Sequence, residues 1–349
     1  AQEFIEIQDQ NYFEQFSRAD YTNAGGFVND SVVMIKENVP FPFSVALTQI
    51  LDSMFLKTAI MRIQVNSSFN HTRNLELTFP SMTLNGTPYK RIIQIDNSNG
   101  NFTYDATFSE FEDYFIDLSN FGLTSNSFFV NYKLTLYDAG SGQVSNNANA
   151  TVTIDFTDIE YKFLFGYFGN MDQLFPADSF AIAIFEKISD ANAGLSDPRF
   201  TISLYNSFGI PLRFGFDELT SYSNLTQTYT SIEGDSVPTF EITSVPFYAN
   251  VPTYSFLQPI VPVHSKRTMT KDGSNIDEVF SSLPRLIRFQ TGYILNPEEL
   301  PVSQNNFIAE NSVLDIEIDM EIPLFGFAEY AGLKDTFNLD LSGIFGDIA

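Results

Sequence analysis

The sequence predicts an all-β protein of two tandem sandwich-like domains, of the immunoglobulin-like or jelly-roll kind, with one or two short helices. Three observations carry that prediction. In the stretch 313–327, VLDIEIDMEIPLFGF, the residues Leu314, Ile316, Ile318, Met320 and Ile322 alternate with Asp315, Glu317, Asp319 and Glu321. Strict period-two alternation puts the apolar set on one face of a strand and the carboxylates on the other. Phe and Tyr, which suit pleated and half-buried surfaces, number 37 and 16 against no Trp. Short alternating runs recur along the chain, divided by Asn, Gly and Pro turn signals.

Taken in order, residues 1–23 are rich in Gln, Asn and acids and read as a lead-in or a peripheral strand. The run 27–36, FVNDSVVMIK, reads as a strand. In 44–55, SVALTQILDSMF, the residues Val45, Leu47, Ile50, Leu51, Met54 and Phe55 recur at helical spacing behind Ser44, an N-cap candidate. That spacing predicts a short helix. Strands follow at 59–65, 75–79, 90–95, 101–108, 128–137 and 150–156, with turns at Asn85-Gly86 and Asn99-Gly100. The small polar stretch 138–149, DAGSGQVSNNAN, reads as a hairpin loop between two strong strands.

The aromatic segment 161–169, YKFLFGYFG, marks the division into domains 1–160 and 161–349. Beyond it, 179–188 suits strand and helix equally. Strands are expected at 200–205 and 211–216, joined by a turn at 206–209, and at 241–245, 254–263 and 285–295 before the acidic strand. Residues 272–283, DGSNIDEVFSSL, predict a helix with Ser274 at its N-cap, Asp277 and Glu278 in its first turn and Pro284 as its stop.

Alternating strands end in Asn at Asn66, Asn206 and Asn296, and after a gap another alternating strand follows each. Asn there suits a turn that needs left-handed backbone or a side-chain-to-backbone bond. Related sandwich modules or a duplication would produce this recurrence; its irregular spacing does not suit a solenoid. The stretch Asn206-Ser207-Phe208-Gly209-Ile210-Pro211-Leu212 and the pair Asn296-Pro297 resemble the strand–Asn-Pro–strand pattern of LEA14-like (water-stress, WHy) β-sandwich domains. The chain as a whole is similar to large uncharacterised surface and secreted proteins of Bacteroidota, which are Cys-free and rich in Asn and Phe. Ser207 stands where the pattern has Pro, and Asn66 departs from it too. The resemblance implies an extracytoplasmic protein, at the cell surface, outer-membrane-associated or secreted, and it supplies no catalytic residues.

At 349 residues the chain has ample material for two cores. It has no Cys, which excludes disulfides, thiol catalysis and thiolate metal sites in this segment. Seven N-x-Ser/Thr sequons, at Asn29, Asn66, Asn70, Asn85, Asn101, Asn149 and Asn224, are what chance gives in a chain this rich in Asn, Ser and Thr. A balance of 18 Lys+Arg against 43 Asp+Glu, formally −25, argues against nucleic acid and anionic membrane surfaces as partners. No apolar run is long enough for a transmembrane helix. The chain begins AQEF, and a removed leader or a lipid-bearing Cys upstream is part of the expectation.

Chemistry-bearing residues are sparse. His71, in the turn NHTRN, and His264, in the basic stretch HSKR, are the only imidazoles, and neither adjoins a nucleophile elbow. Both read as loop residues. The run 271–278, KDGSNIDE, offers Asp272, Asn275, Asp277 and Glu278 but lacks the spacing that wraps oxygens around calcium. The row Asp315, Glu317, Asp319, Glu321 is the candidate site: an acidic face that docks a cationic partner or, more simply, keeps a strand solvated and free of edge-to-edge pairing. No catalytic residue, metal or cofactor is expected. The reading is a non-enzymatic binding or structural protein, with an adhesion role among its forms, whose partner is an unidentified protein, glycan or lipid. Its alternatives are an apolar-ligand carrier with a Phe-lined cavity and a carbohydrate-binding module.

Overall fold

A computed structural model of the chain describes residues 7–45, 49–95, 101–119, 126–138, 144–186, 197–223, 226–241, 244–254, 259–301, 306–323 and 332–333. It divides into two compact units, the first ending at Tyr167 and the second beginning at Phe168. The boundary thus lies beyond 160. The strand that crosses that position continues its pairing to Tyr167, which sits opposite Ile50.

The first unit contains β1 (Gln10–Ser17), α1 (Arg18–Asn23), β2 (Ser31–Pro42), β3 (Ile50–Ser67), β4 (Thr72–Leu84), β5 (Thr87–Ile95), β6 (Phe102–Phe108), β7 (Phe115–Asp117), β8 (Ser127–Tyr137) and β9 (Asn149–Tyr167). Antiparallel pairing orders one sheet β1-β9-β3-β6 and the other β2-β8-β4-β5. Short β7 pairs with both β3 and β4 and stitches the sheets together. Among these strands, only the hairpin β4–β5 connects neighbours in one sheet; the other connections cross between sheets. That is the strand order of an eight-stranded jelly roll.

Period-two patterning builds the core. Leu75, Leu77 and Phe79 of β4 and Val152, Ile154 and Phe156 of β9 are buried, while their neighbours are half exposed. Phe128 lies 6.3 Å from Phe156, 5.9 Å from Phe79 and 5.6 Å from Tyr12, ring centroid to centroid. At the β4–β5 turn, Asn85 and Gly86 both take positive φ, 51° and 78°, as a two-residue hairpin turn requires.

Three expectations for this unit are corrected. The helix expected at 44–55 is not present where it is described: residues 50–55 belong to β3, and 46–48 lie outside the described residues. Instead of capping a helix, Ser44 accepts a side-chain bond from Gln10 through its backbone carbonyl and donates its backbone N–H to the same side chain. The stretch 138–149 is a crossover, because β8 pairs with β2 and β4 while β9 pairs with β1 and β3.

The second unit contains β10 (Met171–Leu174), β11 (Asp178–Ala181), α2 (Ala183–Glu186), β12 (Arg199–Asn206), β13 (Leu212–Ser223), β14 (Thr228–Ser231), β15 (Phe247–Ala249), β16 (Val263–Met269), α3 (Ile276–Ser281), β17 (Pro284–Leu295), β18 (Asn306–Ala309), β19 (Leu314–Glu321) and β20 (Gly332–Leu333). In one sheet β17 lies between β13 and the collinear pair β10 and β11, and β13 carries β14 and β15 on its other edge. The other sheet runs β16-β12-β19-β20. Three pairings of the first unit recur, while the second sheets differ: β8 there lies between β2 and β4, and here β12 lies between β16 and the later β19. In the first unit β1 pairs with β9, β9 with β3 and β2 with β8; here β10/β11 pair with β17, β17 with β13 and β12 with β16. A short helix follows the first strand in both units.

No strand occupies the described residues of 241–245 or 254–262; β15 and β16 lie beside those stretches instead. The helix α3 begins after Asn275 rather than Ser274. Asn275 is drawn away from capping: its Oδ1 accepts from the Glu233 N–H at 2.9 Å and its Nδ2 donates to the Ser231 carbonyl at 2.9 Å.

Candidate functional site

The acidic row is laid out by β19 as its alternation requires. Leu314, Ile316, Ile318 and Met320 are buried, while Asp315 and Glu321 are exposed and Glu317 and Asp319 half-buried on the opposite face. Successive carboxylates stand about 6.5–7 Å apart along the strand. Pairing with β12 sets Asp315 beside Tyr205, Glu317 beside Ser203, Asp319 beside Thr201 and Glu321 beside Arg199. One strand further, β16 places His264 beside Tyr205 and Lys266 beside Ser203. The Tyr205 and His264 rings stack at 4.6 Å, and the Tyr205 hydroxyl donates to Glu317 at 3.4 Å. His264 is therefore a strand residue on a sheet face rather than part of a loop. A row of this kind presents charge in a line. Among the described residues no three His, Cys, Asp or Glu gather as a metal ion needs.

The outer face of the β2-β8-β4-β5 sheet is different in kind. Ile35, Lys133, Glu76 and Ile92 share one row across the four strands, and Val33, Thr135, Asn74 and Gln94 share the next. Ile35 is 56% exposed, Ile92 54%, Tyr137 40% and Val33 39%. Lys90 points the same way and meets Glu76 at 2.9 Å. The alternation in β2 foretold one buried face; the apolar character of the other face went unremarked in the sequence.

At one end of this sandwich, where the β3–β4 connection lies, a polar island is buried. Both His71 and Arg73 are fully buried. Arg73 donates through Nη1 to the Phe69 carbonyl and to the His71 carbonyl at 3.0 Å, and its guanidinium lies 5.6 Å from the Phe102 ring centroid. Burial pushes the Arg73 pKa down to about 10. The His71 ring packs on Phe27 at 4.9 Å. Burial holds the imidazole pKa below its usual value; Asp138 opposes that shift and Arg73 adds to it. His71 thus lies in the β3–β4 connection, as a loop residue should, and is buried there.

On the outer face of the β1-β9-β3-β6 sheet, a cleft of about 370 Å³ is lined by Asp9, Gln10, Asn11, Ile60, Arg62, Thr107, Asp155 and Thr157. Arg62 is held there by Asp105, 2.8 Å from its Nε. The lining contains no aromatic ring. The calcium-like run places Asp277 and Glu278 in the first turn of α3, as helix-starting acids.

No family model matches the chain, and no curated protein matches it. Among solved structures, a Parabacteroides distasonis protein described as a candidate secreted protein is 10% identical, with a TM-score of 0.22 over 87% of this chain and 98% of that one. A chain from Sulfolobus turreted icosahedral virus is 11% identical at TM-score 0.16, over 86% of this chain and 91% of its own. A chain from empty particles of cowpea mosaic virus is 7% identical at TM-score 0.16, over 88% and 92%. At these values the three likenesses carry no argument about fold or function. No helix among the described residues is long and apolar enough to cross a membrane.

Proposed function

We propose that the chain is a non-enzymatic structural protein that works outside the cytoplasm as a subunit assembling with copies of itself. The observation that carries this reading is the solid aromatic interior on a jelly-roll strand order in the first unit, three of whose pairings recur in the second. Jelly rolls serve chiefly as shell-building domains, as lectins and as metal-holding cupins. Choosing among these from the fold is analogy, so the choice rests on the sites. A cupin-type centre needs clustered metal ligands, and the described residues gather none. A sugar site favours an aromatic platform; the cleft on the β1-β9-β3-β6 sheet has no ring in its lining, whereas the exposed Tyr229 lies 4.9 Å from Tyr222 and is where the carbohydrate-binding alternative would sit. An apolar-ligand carrier needs a lined cavity, whereas Phe79, Phe111, Phe128 and Phe156 are fully buried and linked ring to ring within about the aromatic contact range. A packed sandwich with two broad outer faces suits a building block. The extracytoplasmic, cell-surface address comes from the resemblance to Bacteroidota surface proteins and belongs to the same proposal.

The test is sedimentation velocity and negative-stain microscopy of the full chain over a wide concentration range. Regular oligomers or closed particles are expected. A strictly monomeric protein at every concentration overturns the reading, and turnover of a substrate lost on a single carboxylate-to-alanine change would overturn its non-enzymatic part.

A further inference from the structure

The polar island buried where the β3–β4 connection lies has no part in self-assembly. We propose that Arg73 and His71 hold a small monovalent anion of the halide class there. The inference concerns the folded chain alone and stands whether or not copies associate.

The first support is an uncompensated charge. Arg73 points into the sandwich from β4, between Leu136 of β8 and Ile95 of β5, which are both buried. From β6 the Phe102 ring approaches its guanidinium. With its pKa at about 10, the group is still charged at neutral pH. Burial alone causes that shift, and no carboxylate among the described residues acts against it. Proteins pair their buried charges, because apolar surroundings make an unpaired one costly. The other buried arginine among the described residues, Arg213, obeys this rule and meets Glu299 at 3.1 Å. Arg73 does not.

The second support is the donor inventory. A guanidinium carries five N–H groups in a fixed plane. Nη1 donates to the Phe69 and His71 carbonyls, while Nε and Nη2 have no acceptor among the described residues. Both ring nitrogens of His71 also lack a partner there, although the imidazole is fully buried and close enough to feel the Arg73 charge. A fork of N–H groups beside an imidazole N–H suits an acceptor that brings negative charge. Water accepts such bonds but leaves the charge uncompensated. Asp138 acts on His71 and not on Arg73, which leaves the Arg73 side of the island to the anion.

Enclosure sets the size. Neither side chain reaches solvent, and Phe27, Phe69 and Phe102 stand around them. A single-atom anion fits that setting. Phosphate or sulfate would bring more acceptor oxygens than these donors answer, and each oxygen left over would be buried unsatisfied. The overall charge of −25 is no bar, because exposed charges more than about 8 Å away are largely screened at physiological salt.

The experiment is thermal melting of the full chain, wild type against Arg73→Met, at fixed ionic strength. Sodium chloride or bromide replaces sodium gluconate, whose anion is too large for the island. In gluconate the two chains should melt close together. Halide should raise the wild-type midpoint alone. Once the site is mostly filled, each tenfold rise in halide should raise the wild-type folded-to-unfolded ratio about tenfold. His71→Phe keeps the guanidinium and should weaken the halide response without abolishing it. Wild-type crystals grown in sodium bromide need no variant: anomalous diffraction should place bromide within hydrogen-bond reach of Arg73 Nε and Nη2. Equal halide responses in wild type and Arg73→Met overturn the proposal as a general salt effect. Density at the fork without anomalous signal in bromide assigns the island to water and overturns it too. A bromide peak with no halide-dependent melting means an adventitious ion only, which is the third overturning result.

Discussion

Lys36 Nζ lies 2.7 Å from Glu14 Oε1 and so ties β2 to β1, the end strands of the two sheets in the first sandwich. The same ammonium donates to the Gln15 carbonyl at 2.6 Å and lies 5.3 Å from the Phe16 ring centroid. One side chain therefore satisfies a carboxylate and a carbonyl and covers a core ring where no backbone ladder joins the sheets. Lys36→Ala should lower stability by about 1–2 kcal/mol, since the pair is mostly shielded from water. A double-mutant cycle with Glu14→Ala in urea should show a coupling of about 1 kcal/mol; a coupling near zero would make Lys36 a surface residue only.

How much of this was legible depended on locality. The strand β19 was plain because four buried residues alternate with four acids without a break. The Asn85-Gly86 turn was plain because a two-residue hairpin has few sequence solutions. The start of β3 was misread for a physical reason. Its pairing with β9 shifts register between Leu51 and Ser53, Phe55 and Leu56, Leu56 and Thr58, and Thr58 and Ile60. Each shift breaks the period of two and spaces the apolar residues like a helix face. The strand β16 was hidden by Arg267, which turns inward to donate to the Val245 and Pro246 carbonyls at 2.6 and 2.8 Å. The jelly-roll order was not legible, because strands far apart in sequence become neighbours. Of the candidate surfaces, the acidic row was visible as a pattern; the apolar face needed four strands assembled side by side.

The Asn expectation held at two strand ends in two ways. Asn206 closes a side-chain turn, accepting from the Phe208 N–H at 2.9 Å, and Asn296 takes left-handed backbone at φ 44°. The Asn296 side chain also donates to the Gly169 carbonyl at 2.8 Å and accepts from Asn306 at 2.7 Å. Asn296→Ala loses both bonds and strains the backbone, so it should cost about 2–4 kcal/mol. Asn296→Gly loses the bonds but accepts the backbone, and should cost about 1 kcal/mol less than the alanine variant. Denaturant midpoints in the reverse order would show that the φ value is not what fixes Asn here.

His71 should make the fold acid-sensitive. Unfolded histidine titrates near pH 6.5, about the ordinary value, and the buried imidazole binds its proton only at lower pH. Between those pH values the unfolded chain binds a proton that the folded chain refuses, so stability falls as pH drops. The slope from this one group is at most about 1.4 kcal/mol per pH unit, and it vanishes above about pH 7.5. Asp138 limits the effect and Arg73 reinforces it. His71→Phe keeps a ring against Phe27 and removes the proton site. The difference in thermal midpoint between variant and wild type should therefore widen from pH 7.5 to pH 5; a constant difference would remove His71 as the cause.

Arg73 offers a sharper contrast. Its Nε and Nη2 find no acceptor among the described residues, so the buried charge gains little to offset its desolvation. Arg73→Met fills similar volume without charge and should leave stability within about 1 kcal/mol of wild type, or raise it. Arg73→Ala opens a cavity beneath Phe102 and should cost about 3 kcal/mol. If the methionine variant loses as much as the alanine variant, the two carbonyl bonds from Nη1 are what hold the β3–β4 connection.

The acidic row should cost the free chain stability. In dilute solution Asp315, Glu317, Asp319 and Glu321 repel one another along β19, where Glu317 accepts from the Tyr205 hydroxyl. Asp315→Asn/Asp319→Asn leaves that bond intact and removes half of the charge. The variant should be more stable than wild type by about 0.2–1 kcal/mol at low ionic strength, and the gain should fade in about 1 M salt as screening shortens to a few ångströms. Carboxylates matched to a cation within the same chain predict a loss of stability instead, and melts at two salt concentrations separate the two cases.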